Sequence, residues 1–108
     1  MIKENKFYYS DGTTSNEKDS NKILHRDGDL PAVECDNWYK AWRKEGKLHR
    51  DNDLPAVEWT NEYKAWNKEG ELHRLTGPAR IWSDGYVEYW IEGKKYTKEQ
   101  FHKIIANM

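Results

Sequence analysis

Apolar residues in this chain come in short groups separated by charged and turn-forming positions, and the groups recur. The prolines mark the recurrence: Pro31, Pro55 and Pro78 stand 24 and 23 residues apart. After each proline comes Ala (Ala32, Ala56, Ala79), then at fixed distances a Tyr (Tyr39, Tyr63, Tyr86), an aromatic (Trp42, Trp66, Tyr89) and a Gly (Gly46, Gly70, Gly93). Within each unit two β-prone runs alternate apolar and polar residues. The first reads "PAVEC", "PAVEW" or "PARIW"; the second reads "YKAWRK", "YKAWNK" or "YVEYWI". Between them lie "DN", "TN" and "SDG", residues that accept positive φ or bond their own backbone. Two such runs joined by a few turn residues predict a β-hairpin. Each second run ends in Glu-Gly, where the chain turns again; Leu-His-Arg follows at Leu48 and Leu72, and the same triplet opens the first unit at Leu24. The residue missing from the third unit falls between His-Arg and the proline, so that stretch is a loop.

A degenerate half-unit, "YYSDG" from Tyr8, precedes these three, followed by the polar stretch "TTSNEKDSNK", which predicts an exposed or mobile loop. At the other end the period changes. Thr97 and Gln100 have capping-box spacing, Tyr96 and Phe101 that of a hydrophobic staple, and Phe101, Ile104 and Ile105 share one helical face. The pattern predicts a helix of about ten residues folded onto the last hairpin. The expected fold is mainly β: a single-layer array of about three and a half β-hairpins with a short C-terminal α-helix as cap. It forms one domain over 1–108, with a half-repeat and polar loop at 6–23, repeats at 24–47, 48–71 and 72–95, and the cap at 96–108. Equivalent aromatics of successive units stack along one face, Trp42, Trp66 and Tyr89 in one ladder, with Tyr39, Tyr63 and Tyr86 on the opposite face. Trp59 and Trp82 extend the first run, where unit one has Cys35.

The combination Gly-x-Leu-His-Arg, then Pro-Ala, then Tyr-x-x-Trp-x-x-x-Gly resembles the MORN-like hairpin repeats of bacterial, phage and large-virus proteins. The resemblance covers residues 8–94 and rests on Tyr63, Trp66, Gly70, His73, Gly77 and their counterparts. The chain departs from the eukaryotic form of the motif, which favours Gly where Arg follows His here. The resemblance implies a hairpin array and a role in protein contact, with no catalytic residues.

Composition narrows the chemistry. Hydrophobic residues make up only 36% of the chain, yet it holds 6 Trp and 7 Tyr. A thin structure held by aromatic contacts fits that balance. Eighteen basic and nineteen acidic residues leave a formal charge of −1, which gives no long-range attraction to nucleic acid or an anionic membrane. Cys35 is the sole cysteine, the N-terminus has no signal-like apolar stretch and nothing approaches a membrane span, so the expected location is the cytoplasm, the host cytoplasm if the source is viral.

The three His-Arg pairs admit three readings. As a metal site they are too far apart: units of two strands put equivalent histidines about 10 Å from each other, whereas zinc holds nitrogen at about 2.0–2.1 Å. As catalysis, "HRD" at His25 and His49 shares three letters with the protein-kinase loop but lacks its downstream Asn and any glycine-rich loop. Cys35 beside a histidine raises a thiol nucleophile, though a Cys standing where Trp recurs reads more simply as packing. The structural reading is strongest. His25, His49 and His73 satisfy backbone groups at the junction between hairpins. Arg26, Arg50 and Arg74 lay their guanidinium planes on neighbouring rings, and Asp27 and Asp51 pair with those arginines or cap the following turn.

The expected activity is therefore non-enzymatic, without cofactor or metal. The chain is read as a protein-binding module that docks through an aromatic face or edge, with Trp42, Trp66, Tyr89, Trp59, Trp82, Arg43 and Lys44 as candidate binding residues. A small phage or bacterial inhibitor is one form of such a module. Self-assembly through end strands is the alternative, giving a homo-oligomer. Single-stranded nucleic acid is a weaker alternative, because Lys40, Arg43, Lys44, Lys64 and Lys68 are interleaved with Glu34, Glu45, Glu58 and Glu69.

Overall fold

A computed structural model of the chain describes residues 4–36 and 38–108. The half-unit supplies β1 (Asn5–Tyr8) and β2 (Thr14–Ser15). Unit one supplies β3 (Val33–Cys35), β4 (Tyr39–Ala41) and β5 (Arg43–Lys44), and β6 (Lys47–Leu48) leads into unit two. There β7 (Val57–Trp59), β8 (Lys64–Ala65), β9 (Asn67–Lys68) and β10 (Glu71–Leu72) repeat the pattern. The third unit has β11 (Arg80–Ile81), β12 (Val87–Ile91) and β13 (Lys94–Tyr96), and α1 (Lys98–Ala106) closes the chain. Nine strands form one open antiparallel sheet in the order β13-β12-β11-β8-β7-β4-β3-β1-β2. The molecule is a mainly β hairpin array, 45 × 30 × 22 Å, with a helix at one end.

The second run of each unit serves two ladders. Ala41 pairs with Val33 of its own unit and with Val57 of the next. The Trp42 N–H then donates to the Ala56 carbonyl at 2.8 Å, and β5 leaves to pair with β6. Unit two does the same at Trp66, whose N–H donates to the Ala79 carbonyl at 2.8 Å. A bulge makes the divergence possible. The Ala41 carbonyl accepts the Ala32 N–H at 2.9 Å while Val33 is its partner across the ladder, so two residues face one. The same bulge recurs at Ala56–Val57 and Ala79–Arg80. Proline sits just before each bulge, where no ladder bond is lost for want of its N–H. The three alanines are fully buried, which leaves no room for a larger side chain.

Leu-His-Arg is the backbone joint between units. The N–H groups of His49 and Arg50 donate to the carbonyls of Trp42 and Asn67, and the Leu48 carbonyl accepts from Gly70. Residues 24–26 make the corresponding bonds with Tyr8, Arg43 and Gly46, and 72–74 with Trp66, Trp90 and Gly93. The Glu-Gly turns have positive φ at both central residues, 50° and 87° at Glu69 and Gly70, which is the type I′ geometry matched to strand twist.

Each end carries its own local structure. The stretch 13–22 is exposed, and it is pinned: the Tyr9 hydroxyl accepts the Asp19 N–H at 2.8 Å and bonds Ser15 at 2.7 Å, and Lys22 pairs with Asp11 at 3.2 Å. At the other end Thr97 and Gln100 form the reciprocal capping box. Phe101, 2% exposed, packs on the Tyr89 ring at 4.7 Å.

Candidate binding surface

The junction residues interlock in the same way from unit to unit. The Arg50 guanidinium lies over Trp42, its Nε donates to Asp29 at 2.9 Å and its Nη1 to the Pro55 carbonyl at 3.0 Å. Arg74 repeats this with Trp66, Asp53 and Pro78, and Arg26 lies over Tyr8 and bonds Glu34 and Pro31. The indole N–H groups of Trp42 and Trp66 donate to the carbonyls of Asp29 and Asp53, both at 3.1 Å. The expected pairing of Asp27 and Asp51 with arginine is corrected. Those carboxylates bond His25 Nε2 and His49 Nε2, at 2.9 and 3.0 Å, and it is Asp29 and Asp53 that reach the next unit's arginine. In the shorter third unit Thr76 bonds Asp53 at 2.7 Å, and the aspartates of the longer loops have no counterpart.

The histidines cap the Glu-Gly turns. Nδ1 of His25, His49 and His73 accepts the N–H of Glu45, Glu69 and Glu92 at 2.9, 3.0 and 2.9 Å. An accepting Nδ1 puts the ring proton on Nε2, where it donates to Asp27 or Asp51. Among the described residues no group of three His, Cys, Asp or Glu side chains is placed to hold a metal ion. Burial pushes the Cys35 thiol pKa up, away from the reactive thiolate.

The candidate binding aromatics separate into two classes. Trp42 and Trp66 are 6% and 7% exposed beneath their arginines, and Tyr89 is half-buried beneath the helix. This ladder is interior, because Arg50 and Arg74 lay their planes on Trp42 and Trp66 and Phe101 packs on Tyr89. Trp59 and Trp82 lie elsewhere, near the hairpin tips. Trp59 packs against Tyr39 at 4.6 Å and Trp38 at 5.2 Å and is 38% exposed. Trp82 sits between Tyr63 at 5.6 Å and Tyr86 at 5.2 Å, and Tyr86 is 55% exposed. A recess of about 240 Å³ opens between Trp38, Tyr39, Trp59 and the charged pair Lys40 and Glu58. Arg43 turns inward to the Gly46 carbonyl at 2.8 Å, and Lys44 is exposed.

Charge across the sheet alternates. Lys6 pairs with Glu34, Glu34 with Lys40, Lys40 with Glu58 and Glu58 with Lys64 in one cross-strand row. Opposite charges in register are favourable, and they interrupt any basic track through Lys40 and Lys64. Two residues of this surface are not singled out as binding residues by the sequence: Tyr86, which is exposed, and Trp38, which is half-buried and lines the recess. Trp38 has no counterpart in the other units, and Tyr86 looked equivalent to two tyrosines that turn out to be covered. No family model, curated protein or solved structure matches this chain.

Proposed function

We propose that the chain is a non-enzymatic protein-binding module built of MORN-like hairpins, and that it docks on its partner through the aromatic row at the hairpin tips, Trp59, Trp82 and Tyr86. The observation that carries this reading is the contrast among the aromatics. The ladder Trp42, Trp66 and Tyr89 is covered, whereas Trp59 and Tyr86 present 38% and 55% of their surface. Their ring neighbours hold them in place, so little side-chain entropy remains to be lost on binding. Rigid Trp and Tyr with a polar margin are what concentrated protein contacts use. The alternating charge row favours a protein over a polyanion.

The test is affinity capture from nuclease-treated extract with the wild-type chain beside Trp59→Ala and Trp82→Ala, each checked by circular dichroism. The expected result is a discrete protein retained by the wild type and lost by folded variants. Equal retention by all three, or retention of nucleic acid alone when nuclease is omitted, overturns the reading.

A further inference from the structure

In units one and two the outer edge of the second run receives the first run of the unit that follows. Lys40 pairs with Glu58 and Lys64 with Ile81. The tyrosine one residue earlier is covered by the tryptophan of the incoming run, Tyr39 by Trp59 at 4.6 Å and Tyr63 by Trp82 at 5.6 Å. Among the described residues the third unit is followed by α1 and not by a further first run. There Val87 stands where Lys40 and Lys64 stand, and Tyr86 stands where Tyr39 and Tyr63 stand.

The carbonyls of Tyr86 and Glu88 accept the N–H groups of Trp82 and Ala79, at 2.9 and 2.8 Å, so both residues turn their backbone toward β11. Val87 alternates with them and turns its N–H and C=O to the other side. Among the described residues no strand pairs with Val87 there, because after Tyr96 the chain enters α1. A cavity of about 520 Å³ lies in that place, between residues 86–89 and residues 95–98 with Gln100. The exposure of Tyr86 has the same origin: at 55% it lacks the tryptophan that half-buries its two counterparts. Lys95 and Lys98 against Glu88 leave the margin net positive.

We propose that this vacant position binds an extended segment of a partner protein as an added antiparallel strand. The fitting segment carries the array's own pattern, a small residue followed three positions later by an aromatic, as in Ala-x-x-Trp, with acidic flanks for the lysine margin. Its aromatic covers Tyr86, and the residue before that aromatic exchanges two backbone bonds with Val87. The chain does not supply this strand to a second copy, since β3, β7 and β11 are each paired along both edges. The proposal rests on the protein-binding reading and gives it a place and a class of ligand.

The probe is the peptide Leu-Pro-Ala-Val-Glu-Trp-Thr, the sequence of residues 54–60, titrated into the isotope-labelled full chain and followed by amide chemical shifts and hydrogen exchange. Saturable shifts are expected in residues 86–89 and 95–100, with slowed exchange at Val87. Binding should weaken about tenfold with Tyr86→Ala or with Trp→Ala in the peptide, the scale of one buried aromatic contact. It should vanish when the peptide Glu nitrogen is methylated. No binding at millimolar peptide, or undiminished binding of the methylated peptide, overturns the proposal. Shifts at Trp59 without change at Val87 overturn it while leaving the aromatic-row reading in place. The same shifts appearing with chain concentration alone make the occupant a second copy and also overturn it.

Discussion

The Arg50 guanidinium carbon lies 3.7 Å from the centroid of the Trp42 ring, one unit upstream. The distance is 3.7 Å for Arg26 on Tyr8 and 3.8 Å for Arg74 on Trp66, so the contact is a rule of the array. It solves a problem set by the composition. A chain with few aliphatic side chains has no thick layer to lay on its tryptophans, and an arginine plane covers a ring while keeping its N–H groups bonded to carboxylate and carbonyl oxygens. At the last unit no arginine follows, and Phe101 takes the place over Tyr89. Stability of such an array is a sum of contacts between neighbours, and this contact joins each neighbour to the next.

Arg50→Ala removes the ring contact and the bond to Asp29 together and should cost about 1–2 kcal/mol in urea unfolding. Arg50→Lys keeps the charge and loses the plane, so it should recover less than half of that. A double-mutant cycle with Trp42→Leu isolates the ring term. Coupling near zero would show that the stacking contributes nothing beyond packing.

His49→Phe keeps a ring of similar size in the junction and removes the acceptor for the Glu69 N–H. The expected loss is about 0.5–1 kcal/mol, the net worth of one hydrogen bond at an exposed turn, with faster amide exchange at Glu69. Asp51→Asn should change little, because the Asp51 side chain is 70% exposed. An unchanged melt and unchanged exchange in His49→Phe would remove the capping role from all three histidines.

Much of this arrangement was legible in the sequence because it repeats. Constant spacing from proline to aromatic to glycine gave the hairpins and both turns, and the change of period at Tyr96 gave the helix, which runs Lys98–Ala106. The arginine-on-ring contact and the backbone role of histidine followed from what those side chains can do beside aromatics and tight turns. The partner of each aspartate did not follow. Asp27 and Asp29 stand two positions apart in one loop, and only the fold of that loop sends one to His25 and the other to Arg50. Nor did the exposure of the aromatics. Trp42 and Trp59 look alike as letters, and what separates them is that an arginine arrives over one and not the other. The vacancy beside Val87 concerns a strand that none of the described residues supplies, so no letter of the sequence marks it and only the spatial equivalence of the three units reveals it.

Acid should weaken the junction through Asp53. Hydrogen bonds from Arg74 and then Thr76 hold its carboxyl below the ordinary value of 3.8. A folded-state pKa below the unfolded one means that the contribution is complete above about pH 5 and is lost as pH falls through the folded value. Asp11, held at about 2 chiefly by Thr13, loses its contribution over the same acid range. Asp53→Asn should therefore flatten part, and not all, of the fall in stability between neutral and acid pH. Identical pH profiles for wild type and variant would place the acid sensitivity elsewhere.

The Glu-Gly turns can be improved. Glu69 adopts φ 50° as the first central residue of a type I′ turn, a conformation that costs a residue with a long side chain more than it costs asparagine. Its N–H bond to His49 depends on the backbone alone and survives substitution. Glu69→Asn should raise stability by about 0.5 kcal/mol, on the scale of turn preferences. Gly70→Ala, at φ 87°, should lower it, and Glu69→Gln, which removes the same charge as Glu69→Asn, should gain less than Asn in the same melts if turn geometry is the cause.

Phe101→Ala tests the end of the array. Its ring is the largest fully buried side chain among the described residues and it rests on Tyr89. Removing it should cost about 3 kcal/mol, and the loss should be local before it is global. A nine-residue helix is marginal on its own, so without Phe101 it detaches while the hairpins, joined through Arg26, Arg50 and Arg74, remain paired. Circular dichroism should show the helical signal melting below the β signal in Phe101→Ala, whereas the two melt together in the wild type. Thr97→Ala removes only the cap, should cost about 1 kcal/mol, and should leave a single transition. A single transition in Phe101→Ala as well, at an unaltered temperature, would mean that the helix does not close the ladder of covered rings.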